Sequence, residues 1–261
     1  MADTPATPRP AATMILARDG ANGIETFMVV RNKGMDFLGG AMVFPGGKLE
    51  DSDRDPALRP HCRGDAEWDD LWLGLRVACI RETFEESGVL LARPRGGEDF
   101  LTDARMHELE PKYCKALHAG DVSMLEMVQA EDIELATDAL VYFAHWVTPE
   151  IRPKRFDTHF FLAPAPPGHV ASHDGLESTD SEWADIDNVF DSIRSGRRQV
   201  MYPTQCNLAA LNRSPTVAEA LAAARDSEVV RVLPKYIDGE RYIPAAAGIG
   251  HVEVVGPKKP A

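Results

Sequence analysis

One segment, residues 71–88, constrains the fold most because it has the pattern of a helix with two chemically opposite faces. Gly88 follows the last polar residue and is the expected C-terminal stop. At about 100° per residue, Glu82, Glu85 and Glu86 fall on one side of this helix. The pattern therefore predicts a helix that is acidic on one face and packed on the other. The packed face carries four apolar residues, Leu73, Val77, Ile80 and Phe84.

The acidic face calls for a compensating cation. Like charges at i,i+4 on an exposed helix cost a few tenths of a kcal/mol per pair. Arg76 and Arg81 can offset part of that repulsion. Oxygen ligands at this density are also typical of Mg²⁺ or Mn²⁺ sites. Taken alone, the spacing fits a solvated acidic face equally well, so both interpretations stay open at this point.

Strand patterns occur on both sides of this helix without a regular alternation, which favours an α+β or layered α/β fold. Residues 12–17 and 25–31 predict a hairpin, because apolar β-branched runs flank a turn sequence. Residues 41–44 predict a strand that stops in a loop at Pro45-Gly46-Gly47. Two further strands are predicted at residues 140–147 and 159–163.

We divide the chain into a flexible N-terminus (1–11), one domain (12–245) and a C-terminal tail (246–261). The domain is expected to carry insertions at about 54–70 and 101–132. The sequence of the second insertion predicts a helical lobe, and Pro111 is expected to break or to begin a helix within it.

Composition excludes several functions. The chain has 28 Lys+Arg against 41 Asp+Glu, a net charge of −13. Binding of duplex nucleic acid or of a membrane surface requires clustered positive charge, so neither is expected. The apolar stretches are far shorter than the ~20 residues of a membrane helix, and the N-terminus lacks the pattern of a signal peptide. We therefore expect a cytoplasmic protein.

The glycine segment and the helix together resemble a known signature. Gly47 and the later Arg81-Glu82-x-x-Glu85-Glu86-x-Gly88-Val89 are similar to the Nudix hydrolase signature, GX5EX7REUXEEXGU, in which U is aliphatic. The middle glutamate of that signature falls on Asp53, and 27 residues then precede Arg81, so the box is split by an insertion. Thr83 occupies an aliphatic position. The split box resembles a Nudix subgroup of coenzyme A diphosphatases, as do 145-HWVTPE-150 and 153-PKRFDTHFF-161.

This resemblance implies a layered α/β/α Nudix fold with a mixed β-sheet between helices. It also implies a metal-dependent hydrolase in which water attacks the phosphorus of a nucleoside diphosphate derivative. Mg²⁺ or Mn²⁺ would be held by Glu82, Glu85 and Glu86, with the backbone carbonyl of Gly46 or Gly47 as a further ligand, of which we favour Gly47. Arg81 would orient a glutamate through a charge-assisted bond.

The resemblance leaves the remaining roles less defined. Glu177 is the predicted general base, with Asp180 and Glu182 as rivals. The predicted substrate contacts are Arg31, Lys154 and Arg155. Coenzyme A or acyl-CoA is the favoured small-molecule partner, while ADP-ribose and dinucleotides stay open, as does a homodimer. The helical lobe at 101–132 is expected to cover the pocket and to select the group attached to the diphosphate. The alternative function is a non-catalytic nucleotide sensor or scaffold on the same fold.

Overall fold

The computed structural model describes residues 5–32, 34, 39–64, 67–167, 178–238 and 240–247. The strands are β1 (Arg9–Gly20), β2 (Gly23–Arg31), β3 (Ala41–Val43), β4 (Gly46–Lys48), β5 (Ala92–Pro94), β6 (Ile133–Leu135), β7 (Val141–Val147), β8 (Phe156–Pro164), β9 (Ser178–Asp185), β10 (Gln199–Val200), β11 (Arg231–Val232), β12 (Lys235–Ile237) and β13 (Glu240–Tyr242). The α-helices are α1 (Asp70–Ser87), α2 (Asp103–Ala119), α3 (Met124–Glu131), α4 (Ile186–Arg194), α5 (Tyr202–Leu211) and α6 (Val217–Arg225). Short 3-10 helices cover Ser52–Arg54, Pro56–His61, Thr137–Ala139 and Ala245–Ala247. Within the described residues, no helix combines the length and apolar character needed to cross a bilayer.

Nine of the strands form one mixed sheet. Seven lie in the order β10-β3-β2-β1-β8-β7-β11, while β4 pairs with β1 and β9 pairs with β2. The β1–β8, β3–β10 and β7–β11 pairs are parallel. The other pairs of this sheet are antiparallel. The mixed sheet confirms the predicted α+β class.

Each face of the sheet is covered by its own hydrophobic core. Met14 and Leu16 of β1 pack on one face with side chains of α1, α2 and α3. Ile15 and Ala17 pack on the opposite face with side chains of α4, α5 and α6. Such alternation is what a strand buried on both faces requires. The result is the layered α/β/α arrangement that the family resemblance implied.

The hairpin of β1 and β2 confirms the first strand prediction. Its two strands are antiparallel, and Gly20 pairs with Gly23 next to the turn. β1 begins at Arg9, which is earlier than the predicted domain start at residue 12, because its first residues pair with β8. The predicted C-terminal tail lies largely outside the described residues.

The glycine segment after β3 corrects the sequence prediction. Pro45-Gly46-Gly47 is predicted to be a loop, but β4 forms there and pairs antiparallel with Ala11–Thr13 of β1. A side chain at Gly46 would clash with this neighbour, since a Cβ would lie 2.7 Å from the Thr13 Cα atom. Glycine therefore permits a strand that approaches β1 more closely than other residues allow.

Helix α1 has the predicted length and the predicted end. Asp69 caps its N-terminus by accepting a hydrogen bond from the Trp72 N–H group. Gly88 ends it in the left-handed region at φ 71°, and its N–H group donates to the Phe84 carbonyl. Of the two interpretations that the spacing left open, the solvated acidic face is excluded, because Glu85 and Glu86 are buried as well. Layers on more than one side thus enclose this helix.

The predicted helical lobe contains α2 and α3, but α2 runs through Pro111 without ending there. Met106, Leu109, Tyr113 and Leu117 lie on both sides of this proline and are buried in the same core as α1. Burying large apolar side chains stabilises by about 2 kcal/mol each, which together exceeds the ~3 kcal/mol cost of a proline inside a helix. The lobe is therefore part of the main core.

Candidate active site

The three predicted glutamates lie on the last turns of α1, where this helix faces β4. The side chains of Glu82 and Glu85 are 15% and 5% exposed, and Glu86 is also buried. Carboxylates are seldom buried to this extent unless they are paired or bind a metal. Their surroundings therefore indicate what the site can bind.

The backbone of β4 contacts two of these carboxylates. The Gly46 N–H group donates a hydrogen bond of 3.1 Å to Oε2 of Glu86. Gly47 lies directly against the carboxylate of Glu82, so that an added Cβ atom would be within 3.0 Å of its carbon and both oxygens. Glycine at position 47 thus leaves the space that the Glu82 carboxylate fills.

Arg81 gathers three carboxylates around one guanidinium. Its Nε and Nη2 donate to Oδ1 and Oδ2 of Asp53 at 2.8 and 3.0 Å, and its Nη1 donates to Oε1 of Glu82 and Glu85 at 3.0 and 3.2 Å. Nη2 also donates to the Lys48 carbonyl oxygen at 3.0 Å. The Arg81 guanidinium therefore contacts two glutamates of the predicted site directly.

Asp53 lies in the 3-10 helix Ser52–Arg54 and is only 1% exposed. Besides the paired contact with Arg81, its Oδ2 accepts a hydrogen bond of 2.8 Å from the Glu50 N–H group. The split-box alignment assigns the middle glutamate of the signature to this position. In the structure Asp53 contacts Arg81, and the same guanidinium contacts Glu82 and Glu85.

Burial makes this group of carboxylates hard to ionise together. It raises the pKa of Glu82 to about 7, against the lowering effect of Arg81 and with a further rise from the charge of Glu85. Burial also raises the pKa of Glu85, and Arg81 again opposes it. One guanidinium therefore does not neutralise the carboxylates that share it.

Sequence analysis missed one neighbour of the site, His118. Its Nδ1 lies 3.8 Å from Oε2 of Glu85. It is carried by α2, which also contacts α1 through a 3.1 Å hydrogen bond from Cys114 Sγ to the Phe84 carbonyl. No local pattern marks His118, because its proximity depends on how α2 packs against α1.

The predicted phosphate contact Arg155 is placed differently from the expectation. It is buried, and it donates to the backbone carbonyls of Thr148 at 3.0 Å and Ala6 at 2.7 Å. A buried guanidinium must satisfy its donors, and these carbonyls do so. We therefore correct this assignment: Arg155 anchors the N-terminal segment and the loop before β8. Lys154 is exposed beside it, and Arg31 is half-buried at the end of β2.

Of the candidate general bases, Glu177 lies outside the described residues. Asp180 and Glu182 are exposed on β9 and both form ion pairs with Arg198. They alternate with Trp183, which packs against the core on the α1 side. Asp180 and Glu182 therefore point to the sheet face opposite α1, and their placement does not favour a role at the glutamates.

The donor set of this site fits a hard divalent cation. Asp53, Glu82 and Glu85 share a single guanidinium, which leaves net negative charge when all three carboxylates are ionised. Carboxylate oxygens are the ligands that Mg²⁺ and Mn²⁺ prefer. Gly47 packs so closely against Glu82 that no side chain fits between β4 and this carboxylate. These residues therefore fit the ion that the resemblance implied.

Comparisons with known proteins show which family this chain is similar to. The family model described as NUDT19 Nudix domain matches residues 64–211, more than half of the chain. The crystal structure of a NUDIX hydrolase from Alicyclobacillus acidocaldarius is similar with a TM-score of 0.67 and 32% identity, covering 83% of this chain and 96% of that one.

Two curated relatives carry a more specific name. Acyl-coenzyme A diphosphatase NUDT19 from Xenopus laevis is 24% identical over 207 residues, covering 64% of this chain and 54% of the relative. The protein of the same name from Homo sapiens is 27% identical over 180 residues, covering 54% and 48%. The chain thus spans about half the length of these relatives.

Proposed function

Because this chain belongs to the Nudix hydrolase family, we propose that it is a divalent-metal-dependent diphosphatase. It hydrolyses the diphosphate linkage of a nucleoside diphosphate derivative by attack of water on phosphorus. One observation carries the proposal: the glutamates 82, 85 and 86 are held as one buried group between Arg81 and the backbone of β4.

We assign the cation to Glu82, Glu85 and Glu86, with the Gly47 carbonyl as a further ligand. Mg²⁺ or Mn²⁺ bound there would neutralise the diphosphate and stabilise the charge that develops on its phosphoryl oxygens. Arg81 is a positioning residue, because it fixes Oε1 of two of these glutamates while Asp53 fixes its own orientation. The chain thereby holds its metal ligands in place before the ion binds.

The remaining roles are assigned by the same reasoning. Glu177 is the proposed general base, and Arg31 and Lys154 are the proposed phosphate contacts. Ser178 pairs with Arg31 across β9 and β2, so the chain enters β9 beside Arg31. The hairpin turn lies at the far end of β2, which places Arg31 at the end of the sheet where β4 pairs with β1. A cation at that end would face a diphosphate at the glutamates.

Coenzyme A or acyl-CoA is the proposed substrate. The family model and the names of the curated relatives support it, while ADP-ribose and dinucleotides are the alternatives. We further propose that the lobe formed by α2 and α3 selects the group attached to the diphosphate. The contact between His118 and Glu85 supports this, because it brings the end of α2 to the site.

Hydrolysis of a substrate panel tests the proposal. Purified protein is incubated with CoA, acyl-CoA, ADP-ribose, NADH and diadenosine polyphosphates, with Mg²⁺, with Mn²⁺ and with EDTA. We expect metal-dependent cleavage of the diphosphate, fastest with CoA or acyl-CoA. Tight binding of one compound without turnover of any would instead favour the nucleotide sensor.

A matched pair of variants separates catalysis from folding. E86Q should lower kcat/KM more than about 100-fold, because loss of a metal ligand exceeds the 10–100-fold effect typical of outer-shell partners. Its metal-free melting temperature should be equal or higher, since one repelling charge is removed. E228Q, at an exposed glutamate of the same chain, should change neither quantity. Unfolding of E86Q would make Glu86 structural and contradict the assignment.

A further inference from the structure

A second group of metal-ligating side chains lies on β7 and β8, apart from the glutamates. His145 and His159 are directly opposite each other in the antiparallel register of these strands. Asp157 precedes His159 by two residues and shares its face of the sheet. One ligand atom from each of the three residues lies within 4.8 Å of the others.

The contacts within this group already bring the donor atoms together. Nε2 of His145 lies 2.5 Å from Oδ1 of Asp157. The two imidazole rings are stacked, with centroids 4.2 Å apart and an interplanar angle of 24°. The side chains of His145 and Asp157 are 13% and 30% exposed, so solvent reaches the group. An ion could therefore enter without opening the core.

Tyr142 and Trp72 hold the ring of His159 in a defined orientation. The Tyr142 hydroxyl lies 3.0 Å from Nδ1 of His159, and Trp72 packs edge-on against the ring with centroids 5.4 Å apart. Metal-bound histidines usually form such a hydrogen bond through the nitrogen that does not bind the metal. With Nδ1 engaged by Tyr142, Nε2 is the nitrogen left for a ligand.

Charges around the group act in both directions. The imidazoles of His145 and His159 each offer one ring nitrogen as a ligand atom, and both lie within 4.8 Å of a carboxylate oxygen of Asp157. The Asp157 carboxylate attracts a cation. Arg231 on β11 lies opposite His145 and opposes cation binding. Arg231 is exposed, so solvent screens its charge. The three donor atoms of His145, Asp157 and His159 therefore favour binding of an ion that has high affinity for imidazole.

We propose that His145, Asp157 and His159 form a second metal site that binds a divalent transition-metal ion of the Zn²⁺ class. Two imidazoles and one carboxylate are a ligand set that Zn²⁺ accepts with water in the fourth position, whereas Mg²⁺ prefers oxygen ligands. On binding, the ion takes the place of the proton between Nε2 of His145 and Oδ1 of Asp157. A neutral His145 takes up a proton at Nδ1 by exchange with solvent, so that it binds the ion as a neutral imidazole.

The site is separate from the glutamates but lies on the same face of the sheet. Gly47 pairs with Ala12, Ala12 pairs with His159, and His159 pairs with His145. With about 4.8 Å between strands, the two histidines lie about 10 and 14 Å from Gly47. An ion there can join β7 to β8 without taking ligands from the glutamates.

Metal binding to the full chain tests this site without measuring turnover. Protein stripped with EDTA is dialysed against Zn²⁺ in a large excess of Mg²⁺, which occupies oxygen sites, and bound zinc is counted by mass spectrometry. We expect one Zn²⁺ per chain in the wild type and in E86Q, and Co²⁺ in place of Zn²⁺ should give visible absorption of a four- or five-coordinate site. Failure of diphosphate hydrolysis would leave this result unchanged.

Variants at the ligands complete the test. H159Q and D157N should lose the bound zinc, whereas H107Q, at an exposed histidine of α2, should keep it. Y142F retains all three ligands and should bind Zn²⁺ about 10-fold more weakly. Circular dichroism of each variant checks its fold. Absence of zinc uptake by the wild type, or equal uptake by H159Q, D157N and wild type, would overturn the proposal.

Discussion

Replacing Glu82 by glutamine measures how much the buried charge of Glu82 lowers the free energy of unfolding of the metal-free protein. Burial raises the pKa of Glu82 from its ordinary value of 4.5 to about 7. Between pH 4.5 and pH 7 the folded state therefore keeps a proton that the unfolded chain has lost. Because the folded state binds more protons in this range, the free energy of unfolding falls as the pH rises through it. The destabilisation is absent below pH 4.5 and complete above pH 7.

The magnitude follows from the two pKa values. A difference between 4.5 and about 7 corresponds to about 3 kcal/mol, of which about 2 to 3 kcal/mol falls between pH 5 and pH 8. Glutamine has the same shape without the charge, and its amide oxygen can still accept from Nη1 of Arg81. Arg81 keeps Asp53 and Glu85 as partners, so no buried charge loses its ion pair. Relative to wild type, E82Q should gain about 2 to 3 kcal/mol between pH 5 and pH 8, or roughly 5–10 °C in Tm.

Urea unfolding in EDTA, followed by circular dichroism at several pH values, measures this gain. The difference between variant and wild type is the informative quantity, because His159, whose pKa burial lowers to about 4, changes the stability of both proteins with the opposite sign. E228Q serves as the control at an exposed carboxylate. A difference between E82Q and wild type that stays constant from pH 5 to pH 8 would refute the reasoning.

Three further substitutions test other parts of the site. G47A should cost about 1–3 kcal/mol of stability and lower kcat about 100-fold, because its Cβ displaces the Glu82 carboxylate. G34A is the control, since a Cβ there meets only one atom within 4 Å. Equal effects of the two substitutions would contradict the close packing of Gly47 against Glu82. D53N should cost about 1–3 kcal/mol in chemical denaturation, because an amide nitrogen cannot accept the hydrogen bonds that both Asp53 oxygens accept. An unchanged midpoint would exclude that role. R155M should lower stability while KM changes less than about threefold, since Arg155 contacts backbone carbonyls. A large rise in KM at constant stability would instead support Arg155 as a phosphate contact.

Elements set by local patterns could be predicted from the sequence. The hairpin of β1 and β2 follows from β-branched runs around a turn, and the end of α1 follows from Gly88. Elements set by distant partners could not. β4 pairs with a strand more than 30 residues earlier in the chain, and its glycines mark a turn in local terms. The continuation of α2 through Pro111 likewise depends on the core that buries both of its halves.

The same distinction applies to the site. Helical periodicity places the three glutamates together, but it cannot show that the helix face they share is buried. The side chain of Arg155 looks like a phosphate contact in sequence, and only the fold shows which carbonyls it meets. Asp157 and His159 share a strand face by their spacing alone, whereas the register that brings His145 opposite them is a tertiary property.

The split box shows why spacing in sequence is an imperfect guide to such a site. Lengthening the segment between Asp53 and Arg81 from seven to 27 residues costs only about 1 kcal/mol of loop-closure entropy. The hydrogen bonds that Asp53 accepts from Arg81 and from the Glu50 N–H group exceed that cost, since each buried hydrogen bond left unmade costs about 1–3 kcal/mol. Gly74 of α1 lies against the Asp53 carbonyl, so that the 3-10 helix can approach α1 along its length. The contacts of Asp53 with Arg81 and with Gly74 therefore keep Asp53 beside Arg81 despite the 20 additional residues between them. The insertion thus leaves the geometry of the site unchanged.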